Sequence, residues 1–348
     1  MKKSRLLSVL LCLALLSGLL ATFASAADSG SAILDEMDVN AKAAVLVDPD
    51  TGEILYEKNA HAHNYPASIT KVMTCLLTLE AVDRGELSLE QTVTASSALH
   101  TGIGEGASTA DIKEGEQIRI IDLLYAALIP SANEACNVMA EAVSGDVASF
   151  VELMNTRAAE LGMEDTHFSN THGYHDDDHY TSAYDIYLMC REAMKHETFR
   201  TIVATQTYTI PATNLNGERV LHTTNALIGN WIYSGYLYSK AIGIKTGSTT
   251  PAGQCLASAA VDDDGRTYYC VVLGAETVDN GDGTTTRYSF YESRRLLEWA
   301  FDNFERVTLL DENTEGVLRE VSVSLSDETD HVIVQPVGSI EATLPTDY

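Results

Sequence analysis

The sequence predicts an α+β fold: an antiparallel sheet flanked by helices, with a helical insertion and a short β-rich module at the C-terminal end. Three patterns carry this expectation. Strand-like runs come first, a series of helical periodicities fills the middle, and strand-like runs with one closing amphipathic helix return after residue 206. That order suits helices packed on an antiparallel sheet.

Ala43-Ala44-Val45-Leu46-Val47 reads as a buried strand, Pro49-Asp50-Thr51-Gly52 as a turn, and Glu53-Ile54-Leu55-Tyr56 as the returning strand of a hairpin. Ile69 to Asp83 carries helical periodicity and stops at Gly85. Ile120 to Leu128 is a second helix, broken at Pro130, and Glu134 to Val143 resumes as a third that ends near Gly145. Phe150 to Leu161 is amphipathic, with Gly162 as its stop. Ala183 to Lys195 follows, with Thr181 or Ser182 as N-cap. Gln206–Ile210, Ala241–Lys245, Gln254–Val261 and Thr267–Gly274 are strand-like, the last two joined by the turn Asp262-Asp263-Asp264-Gly265. Residues 289–303 form an amphipathic helix containing Leu296, Leu297 and Trp299. Beyond Phe304, Val317, Val321, Val323 and Val332-Ile333-Val334 suggest short strands. The patch Asp279 to Thr286 reads as a surface loop.

The chain has 348 residues and a formal charge of −28. Lys2, Lys3 and Arg5 precede an apolar run from Leu6 to about Ala24, and Ala24-Ser25-Ala26 offers a small-x-small cleavage site. Residues 1–26 therefore read as a secretory signal peptide, with an uncleaved anchor helix as the alternative. Cleavage leaves the mature chain three charges more negative. Such acidity repels nucleic acid and anionic lipid. The remaining cysteines, Cys75, Cys136, Cys190, Cys255 and Cys270, are odd in number and lack zinc-site spacing. Cys255 and Cys270 lie on adjacent strand-like runs, where a cross-hairpin disulfide is the minority reading beside free thiols.

Three motifs occur in fixed order: Ser68-Ile69-Thr70-Lys71, Ser131-Ala132-Asn133 and Lys245-Thr246-Gly247. Each is weak alone. Together they are the set shared by penicillin-binding proteins and class A β-lactamases, in which lysine rather than histidine activates a serine. Ser68 and Lys71 fall on the first turn of a helix, on one face. Lys71 serves as a base only if its pKa is lowered, by burial or by a second cation such as Lys245. Ser131 and Asn133 fall on a loop between helices, able to relay a proton and to bind a substrate amide. Lys245 and Thr246, at a strand's end, suit a carboxylate. Gly247 permits close backbone approach. The backbone N–H groups of Ser68 and Ser248 suit an oxyanion hole. His172, His175 and His179 with Asp176, Asp177 and Asp178 fit no common metal pattern and read as a polar loop. His61 and His63 read as surface residues.

Longer stretches sharpen the picture. Pro66 to Thr74, Leu123 to Ala135, His179-Tyr180-Thr181-Ser182-Ala183-Tyr184-Asp185 and Gly243 to Gly247 resemble the D-alanyl-D-alanine carboxypeptidases, low-molecular-mass penicillin-binding proteins of serine peptidase family S11. The similarity runs from about Ala41 to Phe304. It implies a β-lactamase/transpeptidase-like domain over 27–303 and a small β-rich module, possibly incomplete, over 304–348. It implies Ser68 as nucleophile, Lys71 as general base, Ser131 as a catalytic partner, and Asn133, Lys245, Thr246, Gly247 and Ser248 as substrate-binding groups. The substrate would be the peptidoglycan stem peptide, losing its terminal D-alanine through an acyl-enzyme. β-Lactams would acylate the same serine, and no metal or organic cofactor is implied. The family often has Gly-Asn-Asp after the second-motif serine, where this chain has Ala132-Asn133-Glu134. Family members commonly end in a basic amphipathic anchor helix, whereas Pro345-Thr346-Asp347-Tyr348 is neither basic nor amphipathic. A secreted protein or an incomplete chain is the expectation. A serine β-lactamase, whose deacylating base would have to be Glu152 or Glu164, is the nearest alternative. A peptidoglycan endopeptidase or transpeptidase, and a silent peptidoglycan-binding module, are the others.

Overall fold

The structure, a computed structural model, describes residues 37–311, 314, 319–322, 331–334 and 338–346. The signal segment 1–26, Val317 and Val323 lie outside the described residues. The chain divides into two compact units, 1–39 and 40–348, and everything below concerns the second.

Strands β1 (Ala43–Val47) and β2 (Ile54–Lys58) form the expected hairpin, with Ala44 opposite Lys58. Helix α1 (Lys71–Asp83) follows a 3₁₀ turn over Ala67–Thr70. It is buried along most of its length, with Lys71, Thr74 and Thr78 as the polar residues of its buried part. Strands β3 (Thr92–Thr94) and β4 (Gln117–Arg119) pair as a short hairpin ahead of α2 (Ile120–Leu128). Helix α3 (Asn133–Ser144) ends at Gly145, whose φ of 84° supplies the left-handed cap. Helix α4 (Val147–Glu160) starts at Asp146, which accepts from Ser149 N–H. Helix α5 (Ala183–Ala193) is capped by Ser182, which accepts from Asp185 N–H. A short helix α6 (Glu197–Val203) leads into the hairpin β5 (Thr207–Ile210) and β6 (Arg219–His222).

The remaining strands complete the sheet. β7 (Ala241–Thr249), β8 (Gly253–Val261) and β9 (Thr267–Ala275) form an antiparallel meander, and β9 pairs with β1. The strand order is β2-β1-β9-β8-β7, so β7 is an edge. β1 is buried at all five positions because both faces of the sheet are covered. The helical insertion covers one face. Helix α7 (Tyr288–Asn303) covers the other, where Phe290 packs with Leu256. The patch after β9 is a small hairpin, β10 (Thr277–Asp279) with β11 (Thr285–Arg287), rather than only a loop.

Two further expectations change. Lys245 lies mid-strand, because β7 continues to Thr249. Asn133 is the first residue of α3, not a loop residue. All five described cysteines are buried and free. Cys270 faces α7, since Ser258 is its cross-strand partner and Ser293 of α7 reaches it. Cys255 points to the opposite face, where its thiol reaches Tyr65 O, so the two cannot meet.

Beyond α7, β12 (Phe304–Leu310), β13 (Arg319–Ser322), β14 (His331–Val334) and β15 (Ile340–Pro345) pair as β12–β15 and β13–β14. The β12–β15 ribbon is tied to the β1–β2 turn through Asp48, which is 1% exposed. Its carboxylate accepts from Arg306 at 3.0 Å, from Thr343 Oγ1 and from Asp50 N–H at 2.9 Å. Asp48→Ala leaves Arg306 without its buried partner and should lower stability by about 2–4 kcal/mol, read as a shifted midpoint in urea denaturation.

Candidate active site

The site is assembled around the start of α1. Pro66 and the 3₁₀ turn deliver Ser68 to the surface of a cleft, while Lys71, one turn on, is wholly buried. The Lys71 ammonium donates to Ser68 Oγ at 2.8 Å and to the His172 carbonyl at 2.7 Å. Burial, which disfavours the charged amine, pulls its pKa down to about 8; nearby Cys136, Cys75 and Glu134 oppose that shift. A neutral amine can accept the serine proton along the same 2.8 Å line.

The turn itself is held from below. Ala67 has φ +46°, an uncommon conformation for a residue with a side chain. Thr70 Oγ1 donates to Ala67 O at 2.8 Å and lies 2.7 Å from His179 Nε2. With the threonine proton committed to Ala67, His179 Nε2–H is the donor, while its Nδ1 accepts from Ser169 N–H at 3.0 Å. His172 Nδ1 accepts from Tyr174 N–H at 3.1 Å, which leaves Nε2–H to face Thr101 O at 3.2 Å. Burial keeps both rings neutral, His172 at about 4 and His179 at about 3. The segment is a polar loop, as the sequence suggests, and within it these two histidines are buried struts. Gly173 has φ +82°, and a Cβ there would lie 1.8 Å from Ala67 O.

The second motif lies beside this turn. Ser131 joins α2 to α3 with φ +69°. Ser131 Oγ and Asn133 Oδ1 are buried and lack hydrogen-bond partners. Buried orphan polar atoms are rare, and of these two residues Asn133 lines the cleft described below. Glu134 has a different task. Its Oε1 accepts from Thr109 Oγ1 at 2.6 Å and Ala110 N–H at 2.7 Å, while Asn133 N–H donates to Ser108 O at 2.9 Å. Together they clamp the 101–112 segment to the start of α3.

The third motif comes from the edge strand β7. Lys245 is buried, its amine 3.0 Å from Thr246 O, and its pKa is driven far down by burial and by the charge of Lys71. Of the two causes that the sequence leaves open for a lowered Lys71 pKa, burial and a second cation, burial is the one at work, and the repulsion between the two lysines falls on Lys245. Thr246 Oγ1 lies 2.6 Å from Thr224 Oγ1, a neighbour with no motif to announce it. A Cβ on Gly247 would sit 2.9 Å from Pro66 O and 3.1 Å from Ser68 N, so glycine allows β7 to close against the turn that carries Ser68. Ser248 is exposed beside it.

Ser68, Asn133 and Ser248 line one cleft of about 420 Å³, walled by residues 105–108, 173–175 and 249–251. Ser131, Lys71, Lys245, Thr246 and Gly247 lie behind this lining. Glu152 and Glu164 are exposed and lie outside it. His172 O, Gly173, Thr70, His179 and Thr224 are site elements that sequence reasoning missed; the runs Pro66–Thr74 and His179–Asp185 hold two of them. Gly173→Ala forces both a left-handed Cβ and a clash with Ala67, so a destabilisation of about 3 kcal/mol or more is expected, measured by thermal melting.

Known proteins resemble this chain in sequence and in fold. The chain is 34% identical over 278 residues to the D-alanyl-D-alanine carboxypeptidase DacF of Bacillus subtilis, a match that covers 80% of this chain and 66% of that relative. The chain thus spans just under two thirds of that relative's length. The crystal structure of a peptidoglycan synthesis regulatory factor, PBP3, from Streptococcus pneumoniae superposes with a TM-score of 0.75 at 26% identity, over 90% of this chain and 85% of that one. Penicillin-binding protein D2 from Listeria monocytogenes, in its ampicillin-bound form, superposes with a TM-score of 0.63 at 27% identity, over 76% and 99%. The profile of peptidase family S11, described as D-alanyl-D-alanine carboxypeptidase, matches residues 29–277, and the chain belongs to that family.

Proposed function

We propose that this chain is a serine-type D-Ala-D-Ala carboxypeptidase acting on peptidoglycan stem peptides outside the cytoplasmic membrane. The observation that carries the reading is the buried Lys71 amine 2.8 Å from Ser68 Oγ, with its pKa near 8. Neutral Lys71 takes the Ser68 proton as Oγ attacks the carbonyl of the penultimate D-alanine. The oxyanion is met by the N–H groups of Ser68 and Ser248. Ser131 passes the proton to the leaving nitrogen, the C–N bond breaks and free D-alanine departs. Water, deprotonated by the same base, then attacks the ester and restores the serine. Asn133 holds the substrate amide, and Lys245 with Thr246 receives the terminal carboxylate. Residues 27–303 would form the catalytic domain and 304–348 a β module attached to it.

β-Lactams mimic the scissile amide, and the ampicillin-bound relative supports acylation of Ser68 by the same route. The β-lactamase alternative needs a base for fast deacylation, and the exposed positions of Glu152 and Glu164 outside the cleft count against both.

Incubation of the purified protein with diacetyl-L-Lys-D-Ala-D-Ala and with fluorescent penicillin tests this. D-Alanine release and stable labelling are expected, each falling at least about a thousandfold in Ser68→Ala. Rapid penicillin hydrolysis without D-alanine release would instead indicate a β-lactamase.

The base also sets the pH profile. Below about pH 8 Lys71 holds its proton and cannot take another, so kcat/KM should rise with pH and level off above about 8. In Lys71→Ala that limb should vanish and the rate fall by about 10²–10⁴.

A further inference from the structure

The cleft also carries information about what lies next to the scissile bond. Among the described residues that line it, Glu105 alone bears a fixed charge. No ion-pair or hydrogen-bond partner among the described residues faces its carboxylate. Glu134, Glu116 and Asp122, by contrast, are each tied to a hydroxyl, an amide or an arginine.

Glu105 is also held in place. It sits in the 101–112 segment, which is fixed at one end by Thr101 O facing His172 Nε2 and at the other by the Ser108–Asn133 and Thr109–Glu134 hydrogen bonds. Between these anchors Gly104 lies so near the Tyr174 ring that a Cβ would meet its Oη at 2.3 Å. A charge on a pinned segment acts in a defined place. The cleft's need for a ligand is independently marked by Asn133, which lines it, is 5% exposed and has an unpartnered Oδ1.

The direction of the bound peptide follows from the proposed reaction, on which this inference rests. The leaving D-alanine is directed toward Lys245 and Thr246, so the rest of the peptide leaves Ser68 along the cleft between β7 and the 105–108 wall. The residue preceding the acylating D-alanine is only about 3.8 Å further along in Cα spacing. In a stem peptide that residue is a diamino acid whose long side chain can end in an ammonium. The neighbouring hollow beyond Pro251 contains one charge of each sign, Asp177 and Lys42, and so adds no net preference.

We propose that Glu105 selects stem peptides whose residue before D-Ala-D-Ala ends in a free ammonium over those in which that amine is blocked.

The test compares kcat/KM for D-alanine release from Nα-acetyl-L-Lys-D-Ala-D-Ala and from its Nε-acetylated form, at low and high ionic strength. Wild type should favour the free amine by about two- to fivefold, the scale of a solvent-exposed ion pair such as the exposed Glu105 would make, and salt should reduce the ratio. Glu105→Gln should bring the ratio close to one. Glu105→Lys should reverse it in favour of an Nε-succinyl peptide, with thermal melting to show that both variants fold. Equal rates in wild type, with D-alanine still released, overturn the inference and leave the carboxypeptidase reading standing. A preference that persists in Glu105→Gln overturns the assignment to Glu105. Release from neither peptide removes the carboxypeptidase reading and this inference with it.

Discussion

Everything in this site depends on keeping a lysine amine out of water. Lys71 opens a helix that is buried along most of its length, so the fold that buries α1 also buries the amine. An isolated buried ammonium is costly, and the group responds by titrating closer to neutrality. Two acceptors, Ser68 Oγ and the His172 carbonyl, define where the amine sits. The same burial therefore lowers the pKa and aims the lone pair. Moving α1 toward solvent would undo both at once.

A second layer explains how the serine can sit on a strained turn. Ala67 and Ser131 both adopt positive φ, each at some cost. For Ala67 the surroundings are specific. His179 donates to Thr70, Thr70 donates to Ala67 O, and Gly173 packs where no side chain fits. These groups hold the backbone of the turn that carries Ser68, and neutral histidines suit that work because their two nitrogens serve one donor and one acceptor role.

Much of this was legible in the sequence, and the failures have physical causes. The three motifs are short contiguous strings of chemically distinctive residues, so they stand out, and α1, α2 and α5 were bounded by Gly, Pro and Ser signals. The extent of β7 was hidden because Lys245, Thr246 and Ser248 break its apolar run, yet Lys245 is buried by a neighbouring lysine's pocket rather than by a hydrophobic pattern. The strands of the hairpin β3–β4 and strand β6 are three and four residues long, too short for periodicity to register, whereas β5 is legible in Gln206–Ile210. The His172 carbonyl carries no residue-type signature, because every residue has one. The histidine and aspartate cluster is the polar loop it reads as, but sequence does not show that His172 and His179 turn inward while Asp176, Asp177 and Asp178 face water.

The position of β7 at the edge of the sheet has one more consequence. An edge strand offers its backbone to any extended chain that passes, which is useful for gripping a peptide and hazardous among copies of the same protein. A binding groove of this kind cannot be capped by a neighbouring strand without being lost. The chain instead carries 50 acidic residues against 22 lysines and arginines. Mutual repulsion between molecules then protects the open edge. The acidity of the whole chain becomes a colloidal safeguard for one exposed strand edge.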